Sequence, residues 1–320
     1  MRFATSALLV ASCSMVAAPA ETDDVSVEFE SYGTYIFVPV RLNGAGPLWC
    51  ILDTGARSTQ INARRASAQG IKLNGSLEIG AAQLENLKIE KPSFGEIEGE
   101  FGRRIDGIIG YDVFRRFVVE IDYAAHRVSL HNPLTYHYAG PEQPIPIRVK
   151  DGFAYVRAQL QGNGGKSADG DFQLDTGEGG ALELNHPFVQ ENQLLAIAGP
   201  TLPSKGWGAD GTSDERDGRL ESFKIGRFTL DDPVAFFALT TKGELGRSDY
   251  AGLLGGKILK RFKVILDYTH EWMVLEPNQQ LQEPFEYDTS GIVLEVKVAI
   301  FRLIGQLGFW RVLRRRRLAW

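Results

Sequence analysis

The sequence predicts an all-β protein in which one unit is used twice, giving two lobes. Three observations carry this prediction. Apolar and polar residues alternate with the period of a strand, the two halves match in order, and each half places an Asp-Thr-Gly tripeptide at the same point.

The first matched pair is Tyr35 to Gly44 and Phe153 to Gly162, each alternating like a half-buried strand and closing on Gly. Each is followed by a second strand running into the tripeptide: Cys50-Ile-Leu-Asp53-Thr54-Gly55-Ala56 and Phe172-Gln-Leu-Asp175-Thr176-Gly177-Glu178. Next come Leu77 to Gly80 with Leu84 and Leu87, matched by Phe223 to Gly226 with Leu230 and Val234. Gly107-Ile-Ile-Gly110 then pairs with Gly252-Leu-Leu-Gly255, and Phe117 to Tyr123 with Phe262 to Tyr268. Both copies finish in a short strand, His126 to Leu130 and Glu271 to Leu275, and Pro141 to Pro146 reads as the linker between them. The two Asp residues lie 122 positions apart, so each copy is domain-sized.

Composition narrows the function. Charged residues are 23% and hydrophobic ones 43%, the balance of a globular protein with a sizeable core. The net charge of −5 includes seven basic residues after position 296; without them residues 1–296 carry −12. An acidic body argues against nucleic acid as a partner. The His residues at 126, 131, 137, 186 and 270 lack ligand spacing, so no metal is expected. The Gly-rich stretches at 162–165 and 177–180 lack the Lys-Ser/Thr of a phosphate loop.

Residues 1–20 read as an export signal: Met1-Arg2, an apolar run from Phe3, and a small-x-small site at Ala18-Pro19-Ala20. Val10-Ala11-Ser12-Cys13 offers a second route, in which Cys13 is lipidated and the protein is tethered to a membrane. Either route leads to the periplasm or beyond and leaves Cys50 as the remaining cysteine. Its apolar setting, Leu48 to Leu52, makes it a buried structural thiol rather than a nucleophile.

A lone Asp-Thr-Gly is an ordinary turn, since Asp bonds the nearby backbone and Gly accepts positive φ. Two of them, each entered by a hydrophobic strand and followed at matching distance by Gly-apolar-apolar-Gly, form a more specific pattern. Over most of 26–277 the chain resembles the aspartic peptidases, both pepsin-like and retropepsin-like. It is most similar to bacterial retropepsin-like proteins with two lobes in one chain and an export signal. The resemblance implies a duplicated aspartic-peptidase fold with an N-terminal lobe at 26–135, a C-terminal lobe at 145–285 and the active site between them. It implies an endopeptidase in which Asp53 and Asp175 share a proton and activate a water, with no cofactor. Thr54 and Thr176 would brace the loops, Gly55 and Gly177 would let the carboxylates approach, and Ile108-Ile109 and Leu253-Leu254 would support them. Ala56, Glu178 and Trp207 are the expected substrate-binding residues, the partner is a peptide or protein, and a monomer is expected.

Two departures stand out. Asp53 to Gly80 spans 27 residues and Asp175 to Gly226 spans 51, so the second lobe carries 24 extra residues. They include Gly206-Trp207-Gly208-Ala209-Asp210-Gly211, which suits a mobile flap at 200–220 over the cleft. Trp207 would either contact substrate at its tip or pack on its own lobe. Pepsin-like enzymes carry the flap on the first lobe, so a weakly catalytic peptide-binding module is the alternative function. Glu178 adds a carboxylate beside the dyad, which predicts activity extending towards neutral pH. At the other end, Phe285 to Val296 resembles the first strand of a PDZ-like module before the character changes to the basic stretch Arg314 to Arg317. Residues 286–320 therefore read either as a truncated or out-of-frame tail or as an amphipathic segment for an anionic membrane.

Overall fold

The computed structural model describes residues 24–286 apart from 74, 86, 88, 91–93, 95–97, 99–101 and 209–210, together with 292–297 and 300–306. The expected export signal with Cys13, the Ala209-Asp210 turn and the basic stretch after Gln306 lie outside the described residues.

The protein is mainly β. Its first half forms β1 (Val25–Glu28), β2 (Glu30–Tyr32), β3 (Tyr35–Leu42), β4 (Ala45–Leu52) and β5 (Gln60–Ile61). Helix α1 (Ala63–Ala68) follows, then β6 (Leu77–Ile79), β7 (Ala82–Leu84), β8 (Gly107–Ile109), α2 (Tyr111–Phe114), β9 (Val118–Asp122) and β10 (Arg127–His131). The second half forms β11 (Ile145–Lys150), β12 (Phe153–Gln161), β13 (Ser167–Leu174), β14 (Leu182–Leu184), α3 (His186–Glu191) and α4 (Leu194–Ile197). It continues as β15 (Leu202–Gly208), β16 (Gly211–Arg219), β17 (Ser222–Ile225), β18 (Phe228–Asp231), β19 (Val234–Ala238) and β20 (Gly252–Leu254). It closes with α5 (Gly256–Leu259), β21 (Phe262–Asp267) and β22 (Trp272–Pro277). Beyond it, β23 (Ile292–Lys297) and β24 (Ile300–Gln306) pair as a separate antiparallel hairpin.

The repeat read from the sequence is also a repeat of pairing. In the first half β4 runs between antiparallel β3 and parallel β8, and β6 and β7 extend the sheet from β3. In the second half β13 runs between antiparallel β12 and parallel β20, with β17 and β18 extending from β12. The halves join edge to edge, β9 pairing antiparallel with β21. The resulting strand order β1-β10-β9-β21-β22-β11 takes three strands from each half. This joining sheet is apolar on both faces. Val119, Ile121, Val264 and Leu266 belong to the main core, while Val118, Ile265 and Val274 pack on the other side with Tyr136, Tyr138 and Trp272.

Two features depart from the sequence reading. The expected linker 141–146 runs into β11, which pairs with both β22 and β12. Its prolines obscure the alternation Ile145, Ile147, Val149. The extra length of the second half is α4 plus the β15–β16 hairpin, set on a full strand, β19, that pairs with β14. Among the described residues the first half has, at that place, an isolated bridge between Gln60 and Glu90.

Candidate active site

Each Asp-Thr-Gly lies where a strand leaves the sheet and the next strand passes alongside. The backbone N–H of Asp53 donates to Ile109 O at 2.9 Å, and that of Asp175 to Leu254 O at 3.0 Å. The turns close alike: Ala56 N–H donates to Asp53 O at 3.3 Å and Glu178 N–H to Asp175 O at 3.2 Å. The short helices seal them, with Tyr111 N–H on Ala56 O at 2.9 Å and Gly256 N–H on Glu178 O at 2.8 Å. Gly107-Ile-Ile-Gly110 and Gly252-Leu-Leu-Gly255 are thus the rails on which the turns rest.

The two turns are cross-linked by their threonines. Thr54 Oγ1 donates to Leu174 O at 2.7 Å and accepts from Thr176 N–H at 2.9 Å. Reciprocally, Thr176 Oγ1 donates to Leu52 O at 2.7 Å and accepts from Thr54 N–H at 3.0 Å. Both threonines are buried, so these four bonds are made away from water, where an unmade bond is expensive.

The braced turns bring the carboxyls together. Asp53 Oδ1 accepts from Gly55 N–H at 2.7 Å and Asp175 Oδ1 from Gly177 N–H at 2.8 Å. The two carboxyls hydrogen-bond each other, which requires one of them to hold a proton. Glycine is needed at both third positions. A Cβ on Gly55 would lie 2.4 Å from Asp175 Oδ2, and one on Gly177 2.5 Å from Asp53 Cγ. Burial raises the pKa of both carboxyls; for Asp175 the charges of Asp53 and then Glu178 add to the rise, whereas the Gly55 amide opposes it at Asp53.

The surroundings of the pair are unequal. On one side Thr34 Oγ1 donates to Gly179 O at 3.2 Å, and the Tyr35 phenol lies where a Gly179 Cβ would be, 2.4 Å from its oxygen. Burial, then the charges of Glu178 and both aspartates, holds that phenol above its ordinary range. On the matching side the Arg57 guanidinium sits over the Phe153 ring at 4.8 Å.

Of the residues expected to meet substrate, Ala56 is buried, with both its backbone groups engaged in the turn. The carboxyl of Glu178 is taken up inside its own lobe by Gly180 N–H at 2.5 Å and by Glu183. Trp207 stands opposite Thr212 in the β15–β16 pair. Sequence reasoning passed over Tyr35, Arg57, Glu183 and Glu215. Glu183 left a faint signal, as a lone acid in the strand Leu182-Glu183-Leu184; Glu215 left none amid the polar run 212–217.

No protein-family model and no curated protein sequence matches the chain. Among solved structures it is similar to a retropepsin-like aspartic protease from Rickettsia conorii, with 21% identity, 44% of this chain and 96% of that one covered, and a TM-score of 0.31. It is also similar to Basic 7S globulin from soybean, with 8% identity, 79% and 94% covered, and a TM-score of 0.45. Both likenesses are distant ones of fold.

Proposed function

We propose that the protein is an aspartic-type endopeptidase in which Asp53 and Asp175 act as one acid–base unit. The observation that carries this reading is the pair of mutually hydrogen-bonded carboxyls, held between the halves by four reciprocal threonine bonds. Two partly buried carboxyls in contact cannot both ionise cheaply, so over a broad pH range they hold one proton between them. The ionised member takes a proton from a bound water as that water attacks the peptide carbonyl. The protonated member donates to the carbonyl oxygen, and the roles exchange as the amide leaves. Holding both groups in a fixed relation removes the reorganisation this exchange would otherwise need. The β15–β16 hairpin is the element suited to cover an extended peptide, and both aspartates come from one chain, so a monomer suffices. On residues 1–20 we place the protein outside the cytoplasm.

The test is incubation with a peptide library across pH 4–8, with Asp53→Asn and Asp175→Asn in parallel. Cleavage by the parent and loss of turnover in both variants is the expected result; undiminished cleavage by either variant sinks the mechanism. Tight binding of extended peptides by the parent without cleavage would instead favour a peptide-binding module.

A further inference from the structure

A third carboxyl touches the site and continues away from it. Glu178, which follows the second Asp-Thr-Gly, lies in a niche cleared by glycines. A Cβ on Gly180 would lie 2.7 Å from its Oε1, and one on Gly255 2.8 Å from its Cγ. From there Glu178 hydrogen-bonds Glu183 on β14, and Glu183 hydrogen-bonds Glu215 on β16. Glu183 alternates with the fully buried Leu182 and Leu184, so its side chain projects from the opposite face of the sheet.

Glu215 stands at a hinge. It is the last residue of β16, counting towards the tip, that pairs with β19, opposite Ala238. Beyond it one more bond, Leu239 N–H to Asp214 O at 3.0 Å, ties β16 to that side, and from Ser213 outward its strand partner among the described residues is β15. Glu215 is 4% exposed and takes a bond from Ser213, and its carboxyl lies against the β15 backbone at Gly206, where a Cβ would be 1.8 Å from Oε1. The charged and titratable groups facing these carboxyls are Asp53, Asp175, Tyr35, Lys257 and Asp217. Lys257 is the cation at the Glu178 end, its Nζ donating to Glu286 O at 3.2 Å.

Carboxylates only accept hydrogen bonds. Three carboxyls joined by two links therefore need two protons. We propose that Glu178, Glu183 and Glu215 form a proton-held latch that ties the root of the β15–β16 hairpin to the second catalytic turn and releases it when the protons leave. The latch makes Glu183 and Glu215 positioning residues. Its effect on turnover rests on the reading of Asp53 and Asp175 as the catalytic pair; its effect on the hairpin does not. Burial pushes the Glu215 carboxyl up to about 7, the Glu183 bond opposing the rise, so one proton of the cluster leaves within the range tested.

The experiment is hydrogen exchange of the amides at 204–208 and 211–214 between pH 5 and 8, corrected for intrinsic rates, with β12 and β13 as internal controls. In the parent, hairpin protection is expected to fall roughly tenfold or more across this range. Glu183→Gln is the decisive variant. Its amide carries two N–H donors, one for each neighbouring carboxylate, so the links no longer depend on pH. Hairpin protection in Glu183→Gln is therefore expected to be flat with pH, and Glu215→Ala to show the low value throughout with unchanged controls. Equal parent protection at pH 5 and 8, or a Glu183→Gln profile that follows the parent's, overturns the latch. On the activity side, Glu183→Gln is expected to move the alkaline limb of kcat/KM upward. A parent that shows the exchange behaviour but cleaves no peptide keeps the latch and removes the peptidase reading.

Discussion

Replacing Thr176 by Val removes one hydroxyl from the cross-brace and keeps the shape of the side chain. The hydroxyl serves two partners, donating to Leu52 O at 2.7 Å and accepting from Thr54 N–H at 3.0 Å. Valine leaves both without a protein partner in a buried setting, where each orphaned group costs about 1–3 kcal/mol, so the pair costs about 4 kcal/mol. Thr54→Val removes the mirror-image bonds, to Leu174 O at 2.7 Å and from Thr176 N–H at 2.9 Å, and is expected to cost the same. Urea unfolding, followed by tryptophan fluorescence and by circular dichroism, gives each change as a shift in midpoint at constant slope. The cleavage rate is expected to fall in both variants, because the brace sets the approach of the carboxyls. A loss within about 1 kcal/mol of the parent in either variant, near the size of an ordinary substitution, would refute the argument. So would a large difference between the two variants, since the bonding is reciprocal.

Gly177→Ala would put a Cβ 2.5 Å from Asp53 Cγ, so turnover is expected to collapse while circular dichroism stays that of the parent; retained turnover would show that the carboxyls are not held at this separation. The stability contributed through Glu215 is expected to depend on pH. Its carboxyl titrates at about 7 when folded against 4.5 ordinarily, so between these values the folded protein holds a proton that the unfolded chain has released. Stability is therefore fully present below about pH 4.5 and falls by about 3 kcal/mol as pH rises to about 7, then stays level. Urea midpoints of the parent relative to Glu215→Gln at pH 4.5 and 7.5 measure this, and a difference that does not change with pH would contradict it.

The repeat and the paired aspartates were legible because duplication writes the same constraint twice. Asp53-Thr54-Gly55 alone is a turn; matched by Asp175-Thr176-Gly177 and by two Gly-bounded apolar rails, it reads as a candidate site. The excess length of the second half was legible as spacing, and it is the β15–β16 hairpin with α4. What escaped was whatever depends on neighbours from distant strands. Glu183 and Glu215 lie 32 positions apart and meet across β14 and β16, on either side of β19. Glu178 reads as an acid beside the dyad, but its direction is fixed by room at Gly180 and Gly255, which no local pattern records. The strand β11 was hidden for a simpler reason: prolines at 144 and 146 look like punctuation, yet Pro146 takes its place opposite Trp272.

The pairing of β9 with β21 bears on why the two halves share one chain. Without the second half, Val118 to Asp122 would present bare backbone N–H and C=O groups on an apolar strand, an open edge that invites association with another polypeptide. Val119, Glu120, Ile121 and Asp122 are instead met by Leu266, Ile265, Val264 and Lys263 of the same molecule. Covalent linkage thus makes the docking of one half on the other independent of concentration and closes an adhesive border before a foreign strand can find it.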